Sequence, residues 1–89
     1  PSAGSVFRNP YKEKPAGKLI EESKIKNTQI GGAVISLKHA NFIINTGGAT
    51  AKNIIDLINL VKKTIKKNYG IDLITEQEIV KWDSNAEEN

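Results

Sequence analysis

Ser5, Arg8 and Asn9 stand in the stretch GSVFRNP, residues 4–10, where a serine follows a glycine and an asparagine precedes a proline. If residues 5–9 are extended, side chains alternate, so Ser5, Phe7 and Asn9 face one way while Val6 and Arg8 face the other. Ser5 and Asn9 are then about 13 Å apart, four steps of roughly 3.3 Å, which suits an elongated polar ligand with one residue at each end. A serine hydroxyl is a weak acid. It usefully gives up its proton only to something very basic, such as a carbanion or an enolate, with neighbours that stabilise the alkoxide left behind. The same two side chains could instead bond to backbone in a strand and turn, a role that spacing alone favours.

Other residues invite chemistry less strongly. His39 could be a base, a ligand or a polar residue at a strand entrance, and nothing local decides among them. Lys62, Lys63, Lys66 and Lys67 form the run KKTIKK. Near the end of a helix such charges complement the negative pole of the helix dipole, and no aromatic residues interleave with them to stack bases. A solvated face therefore explains the run better than nucleic-acid binding. The glycine pairs in IGGAV and TGGAT do not continue into the Gly-Lys-Ser/Thr ending of a phosphate loop. TGGAT does lead into a helix start, a generic anion site, but turn chemistry accounts for it.

These candidates sit in a chain of 89 residues, enough for one small domain with a modest core and no room for two catalytic lobes. There is no cysteine and a single histidine, which excludes disulfides, zinc–thiolate sites, thiol nucleophiles and multi-histidine metal centres. The lack of cysteine fits a reducing cytosol, and a cytoplasmic location is the expectation. No window holds the roughly 18 apolar residues of a membrane span, and no secretory leader is visible. The net charge of +3 is small for a nucleic-acid binder, though its distribution is uneven, with the basic run offset by an acidic end, DSNAEEN.

The elements that must position the candidates follow from local pattern. SVF reads as a strand closed at Asn9, because a residue before proline is pushed out of the helical region. AGKLIEES, residues 16–23, reads as a short helix beginning behind Pro15. QIGGAVIS is strand-like, interrupted by glycines that allow a bulge or a close backbone approach. NFIIN is a stronger strand ending in a glycine turn. Thr50 is the expected N-cap of a helix from Ala51 to about Asn68, with Ile54, Leu57, Ile58, Val61 and Ile65 on one face and Gly70 as its left-handed stop. IDLITEQEIVKW reads as a last strand. The order strand, helix, strand, strand, helix, strand predicts an α+β two-layer sandwich, a mostly antiparallel sheet of about four strands with two helices on one face. Residues 1–82 form the domain and 83–89 a flexible acidic tail.

Taken together, PSAGSVFRNP, PAGKLIEES, QIGGAVIS, KHANFIINTGGAT and GIDLITEQEIV stand in an order and spacing that resemble the C-terminal domain of the UDP-N-acetylenolpyruvoylglucosamine reductase family, from Pro1 to about Val80. The resemblance implies an FAD-dependent reductase of bacterial cell-wall precursor synthesis. Such enzymes use NADPH to reduce FAD, release NADP, bind UDP-N-acetylglucosamine enolpyruvate and pass hydride to C3 of its enolpyruvyl group. A proton then quenches the charge at C2 and yields UDP-N-acetylmuramate.

On this resemblance Ser5 is the proton donor and Glu76, three residues after Leu73, is the second catalytic residue. Ile74, Thr75 and Gln77 depart from the family's Leu-Glu-Pro-Glu-Val pattern, which leaves Glu78 as a weaker candidate for that role. Asn9 and His39 fall where the family contacts the nucleotide-sugar, and Arg8 and Lys18 could face its phosphates. The family's FAD-binding domain, with a further catalytic arginine, precedes this segment and is absent from it. The chain alone is therefore expected to bind no cofactor and to complete no turnover, with the missing domain and the enolpyruvyl substrate as its partners. No nucleic acid, membrane or metal is expected. The alternatives are a small basic nucleic-acid-binding module using Lys62–Lys67, or a degenerate interaction domain of the same fold.

Overall fold

A computed structural model describes residues 2–76. It contains strand β1 (Ser2–Ser5), helix α1 (Ala16–Glu22), strands β2 (Gln29–Ile30), β3 (Ala33–Ile35) and β4 (Phe42–Asn45), and helix α2 (Ala51–Tyr69). The strands form one antiparallel sheet in the order β1-β4-β3-β2. The architecture is the expected α+β sandwich with four strands, but two of the strands arise differently from the sequence expectation.

QIGGAVIS is not one interrupted strand. It folds into the β2–β3 hairpin, with Ile30 opposite Ala33 and the two glycines as the turn. Gly31 takes a φ of 56°, a positive angle that a two-residue hairpin of the II′ class assigns to glycine at its first position. The second difference lies at the end. Residues 71–76 contribute a single bridge, Thr75 to Phe7, rather than a strand of the sheet. That segment pairs with residues 6–8, which have already left the β1–β4 ladder, so it extends the sheet's margin instead of its row of strands. The expected acidic tail and the rest of IDLITEQEIVKW lie outside the described residues.

Helix α2 follows its local signals closely. Thr50 Oγ1 accepts the Asn53 amide at 3.0 Å and Asn53 Oδ1 accepts the Thr50 amide at 3.0 Å, a reciprocal cap that satisfies two otherwise orphaned donors. Gly70 ends the helix at φ 71°. The five apolar residues of its predicted stripe are all buried. Helix α1 starts behind Pro15 and buries Ala16, Leu19 and Ile20. Its end is tied to the end of α2 by Asn68 Nδ2 donating to Ser23 Oγ at 3.0 Å.

Register partners share a face of the sheet. Ala33, Ile35 and Ile43 line the inner face and join both helices in one core with Val6, Phe7 and Leu73. Val34, Ile44, Phe42 and Ser5 fall on the outer face, away from the helices. The sheet thus turns one side to the core and the other, with Ser5 at the end of β1, away from the helices.

Candidate functional site

Ser5 is the last residue of β1 and pairs with Phe42 across the sheet. Its side chain is exposed, and its hydroxyl makes no hydrogen bond among the described residues. A β-bulge or irregularity between Ser2 and Ser5 shifts the register by one, a device that re-aims side chains at a strand end.

The regular alternation expected through residues 5–9 does not occur. Val6 and Phe7 are consecutive and both buried, at 1% and 2% exposure, whereas Ser5, Arg8 and Asn9 are exposed. Phe7 therefore does not share an exposed face with Ser5 and Asn9, as regular alternation would require. The cause is a change of backbone partner. Ser5 and Val6 keep the β4 register, the Val6 amide donating to Asn41 O at 2.8 Å, but the Phe7 amide donates to the Asn41 side chain, Oδ1, at 3.0 Å. On the opposite edge, Arg8 N donates to Ile74 O and Glu76 N to Val6 O, each at 2.8 Å. Asn9 has its own structural task, since its Oδ1 accepts the Ala16 amide at 3.0 Å and so satisfies the first turn of α1, which Pro15 cannot cap.

These bonds place the Glu76 backbone against Val6, the residue immediately after Ser5. The Glu76 carboxylate lies 3.9 Å from Arg8 Nε, with side chains 34% and 60% exposed. An ion pair this open is screened and contributes at most about 1 kcal/mol to stability. It does keep a guanidinium and a carboxylate together at the edge of the site. Arg8, expected to meet phosphates, thus has Glu76 as its neighbour within the chain.

His39 is exposed in the turn leading to β4. Ser36 Oγ builds that turn by accepting the Lys38 and His39 amides at 3.1 and 3.0 Å. The imidazole stands 5.3 Å from the Phe42 ring, centroid to centroid. Phe42 is also the partner of Ser5, so one aromatic ring connects the histidine to the serine. Lys18 is exposed on α1, the helix whose start Asn9 holds. Arg8 and Glu76 thus meet where residues 6–8 run beside 74–76, Ser5 ends β1 just before that edge, His39 stands at Phe42, and Asn9 and Lys18 belong to the start of α1. Glu78 lies outside the described residues.

The glycine pairs serve the fold. Gly32 O accepts both the amide and the hydroxyl of Thr46, at 2.8 and 3.0 Å. Asn45 Oδ1 accepts the Gly47 and Ala49 amides at 2.8 and 3.2 Å. Around the start of α2 the Gly47, Ala49, Thr50 and Asn53 amides are committed to side chains. Among the described residues no cluster of three or more His, Cys, Asp or Glu could hold a metal ion, and no helix is long and apolar enough to cross a membrane. The lysine run lies exposed on α2, where Lys66 pairs with Asp72 at 3.0 Å. Asn41 and Asn45 escaped the sequence reading because their partners are set by the tertiary fold and by loop closure, not by a recognisable spacing.

Comparison with known proteins identifies the frame in which this site occurs. Residues 1–80 match the family model described as UDP-N-acetylenolpyruvoylglucosamine reductase, C-terminal domain. The chain is 58% identical over 80 residues to the UDP-N-acetylenolpyruvoylglucosamine reductase of Bacillus licheniformis, and 56% identical over the same length to that of Bacillus subtilis. Each match covers 90% of this chain and 26% of the relative. A crystal structure of the UDP-N-acetylenolpyruvylglucosamine reductase from Thermus caldophilus superposes with a TM-score of 0.69 at 40% identity, covering 84% of this chain and 26% of that one. The chain thus spans about a quarter of the length of the reductases it matches. With the family model matched along nearly its whole length, the chain belongs to the family of C-terminal domains of UDP-N-acetylenolpyruvoylglucosamine reductases.

Proposed function

We propose that this chain is the substrate-binding, proton-donating domain of a reductase that converts UDP-N-acetylglucosamine enolpyruvate to UDP-N-acetylmuramate. The observation that carries the reading is Ser5: an exposed hydroxyl without a hydrogen-bond partner among the described residues, at a strand end, one residue from the point where Glu76 joins the backbone. A serine in a purely structural strand-turn would bond to nearby backbone, as Asn9 does here.

The glycine loops of this chain do not fit a dinucleotide, since the Gly47 and Ala49 amides are engaged by Asn45 and Thr50 and Asn53 cap each other. The FAD and NADPH sites are accordingly assigned to the remainder of the full-length reductase. The flavin supplies hydride to C3 of the enolpyruvyl group, and the work of this chain lies at C2. There, carbanion character makes a base strong enough to take the Ser5 proton, and the alkoxide formed needs nearby positive charge or hydrogen-bond donors.

Glu76 manages protons beside the substrate carboxylate, with Arg8 3.9 Å away to balance its charge. Asn9 retains its Nδ2 donors for the nucleotide-sugar while its oxygen holds α1. His39 adds an imidazole at the Phe42 side, and Lys18 a cation on α1 for the diphosphate. The setting is peptidoglycan precursor synthesis in the cytoplasm, with the flavin domain as the physical partner. The chain alone should be colourless and oxidise no NADPH.

The test is substrate affinity in a full-length enzyme made by joining this chain behind the preceding part of the Bacillus licheniformis reductase. Asn9→Ala and His39→Ala should each weaken the binding of UDP-N-acetylglucosamine enolpyruvate about tenfold, the equivalent of one hydrogen bond to a charged group. Wild-type affinity in both variants would remove these residues from the substrate site.

A further inference from the structure

Asn41 makes three hydrogen bonds to two consecutive residues. Its carbonyl accepts the Val6 amide at 2.8 Å, its Oδ1 accepts the Phe7 amide at 3.0 Å, and its Nδ2 donates to Phe7 O at 2.8 Å. The side-chain amide imitates one residue of a neighbouring strand, reading both the donor and the acceptor of Phe7. It does so where the β1–β4 ladder stops, since Ser5 opposite Phe42 is the last register pair. A continued strand would keep alternating. The side-chain clamp instead lets the chain turn so that Val6 and Phe7 are both buried.

The other edge of the same segment is held by residues 74–76. The peptide after Ser5 is thus gripped from two sides, by Asn41 and by the residues that carry Glu76. Gly17 of α1 packs beside Asn41, where an added Cβ would lie 3.6 Å from the Asn41 Cβ, so the asparagine is itself backed by a helix. Removing the carboxamide leaves Phe7 N and O unpaired at one edge and loosens the backbone two residues from the serine.

We propose that Asn41 is the positioning residue of the site: its carboxamide fixes the Phe7 peptide groups, next to the Val6 amide that its backbone carbonyl holds, and thereby sets the direction of the Ser5 hydroxyl relative to Glu76. This rests on the reading of Ser5 as proton donor. Asn41 touches no substrate in this role and acts through the backbone alone.

The test uses the same full-length joined reductase, with Asn41→Asp and Asn41→Ser. Aspartate keeps the size and the acceptor but turns a carboxylate toward Phe7 O, whereas serine is too short to bridge both groups. In stopped-flow measurements, flavin reduction by NADPH should proceed at the wild-type rate. Reoxidation by UDP-N-acetylglucosamine enolpyruvate should slow about 10²-fold, the effect of misplacing a reacting group by about 1 Å. The solvent deuterium isotope effect on reoxidation should rise, because proton delivery then limits that step. Protonating the new aspartate restores a donor, so Asn41→Asp alone should recover rate as pH falls.

A residue that only stabilises the fold would lower Tm in the variants without changing the isotope effect. Wild-type reoxidation rates and isotope effects in either folded variant, alongside a Ser5→Ala variant that is slow, would overturn the role of Asn41 and leave Ser5 standing. A fast Ser5→Ala variant would instead overturn the reading of Ser5 on which the proposal rests.

Discussion

Gly32→Ala is the substitution whose cost the structure specifies most directly. A Cβ at that position would lie 2.6 Å from Ala49 N and 2.7 Å from Gly47 O, distances that real Cβ atoms do not reach. Both obstacles are backbone, and both belong to a loop that Asn45 and the Thr50–Asn53 cap hold in place. Relief therefore requires the β2–β3 hairpin to draw back from the start of α2. Overpacking of this kind costs about 1–3 kcal/mol. Withdrawal also stretches the two hydrogen bonds from Thr46 to Gly32 O, each contributing about 1 kcal/mol. The expected loss is about 3–5 kcal/mol, a large share of the roughly 5–13 kcal/mol available to a domain of this size.

Urea and thermal unfolding followed by far-UV circular dichroism measure this loss, and Tm should fall by about 12 °C or more. Gly70→Ala is the internal comparison. It meets no atom within 4 Å but sits at φ 71°, so it should cost only the left-handed penalty of about 1–2 kcal/mol. A Gly32→Ala loss no greater than that of Gly70→Ala would refute the argument that close approach, rather than backbone angle, demands glycine at the hairpin.

Leu57 is fully buried in the stripe of α2, and Leu57→Ala should destabilise by about 2–5 kcal/mol in the same unfolding assays. Thr50→Ala removes one half of the reciprocal cap and should cost about 1 kcal/mol, with helix content otherwise retained. Replacing Lys62, Lys63 and Lys67 together by glutamate should leave kcat and KM of the full-length enzyme unchanged. A loss of substrate affinity with steep salt dependence would instead show that this face binds an anionic ligand.

Helix α2 was legible because cap, apolar stripe and stop are all local: Thr50 and Asn53 lie three residues apart, and Gly70 needs no distant partner. The glycines of QIGGAVIS signalled a backbone irregularity, but not that Gly31 would turn the chain while Gly32 admitted the loop before α2. That division depends on the position of residues 47–49. The alternation expected through Ser5–Asn9 failed for a similar reason. Side chains alternate along a strand only while its ladder continues, and here the partners change from β4 to Asn41 and residues 74–76 within three residues.

The candidate site was accordingly readable as residue types and not as geometry. Arg8 meets Glu76 where residues 74–76 run beside Phe7, and His39 meets Phe42, the register partner of Ser5. Asn41 had no local signature, because the backbone it clamps is 34 residues away. Sequence pattern registers what neighbours in the chain do for one another, and this site is held by contacts between segments far apart in it.

The central claim is that Ser5 delivers the proton that completes enolpyruvyl reduction. The direct measurement is a single turnover of Ser5→Ala in the full-length joined reductase, with the flavin first reduced by NADPH and the substrate then added. Flavin reduction should be normal and the reoxidation rate lowered by about 10²–10⁴-fold, the range that a positioned acid contributes. Reoxidation at the wild-type rate, with UDP-N-acetylmuramate formed, would contradict it.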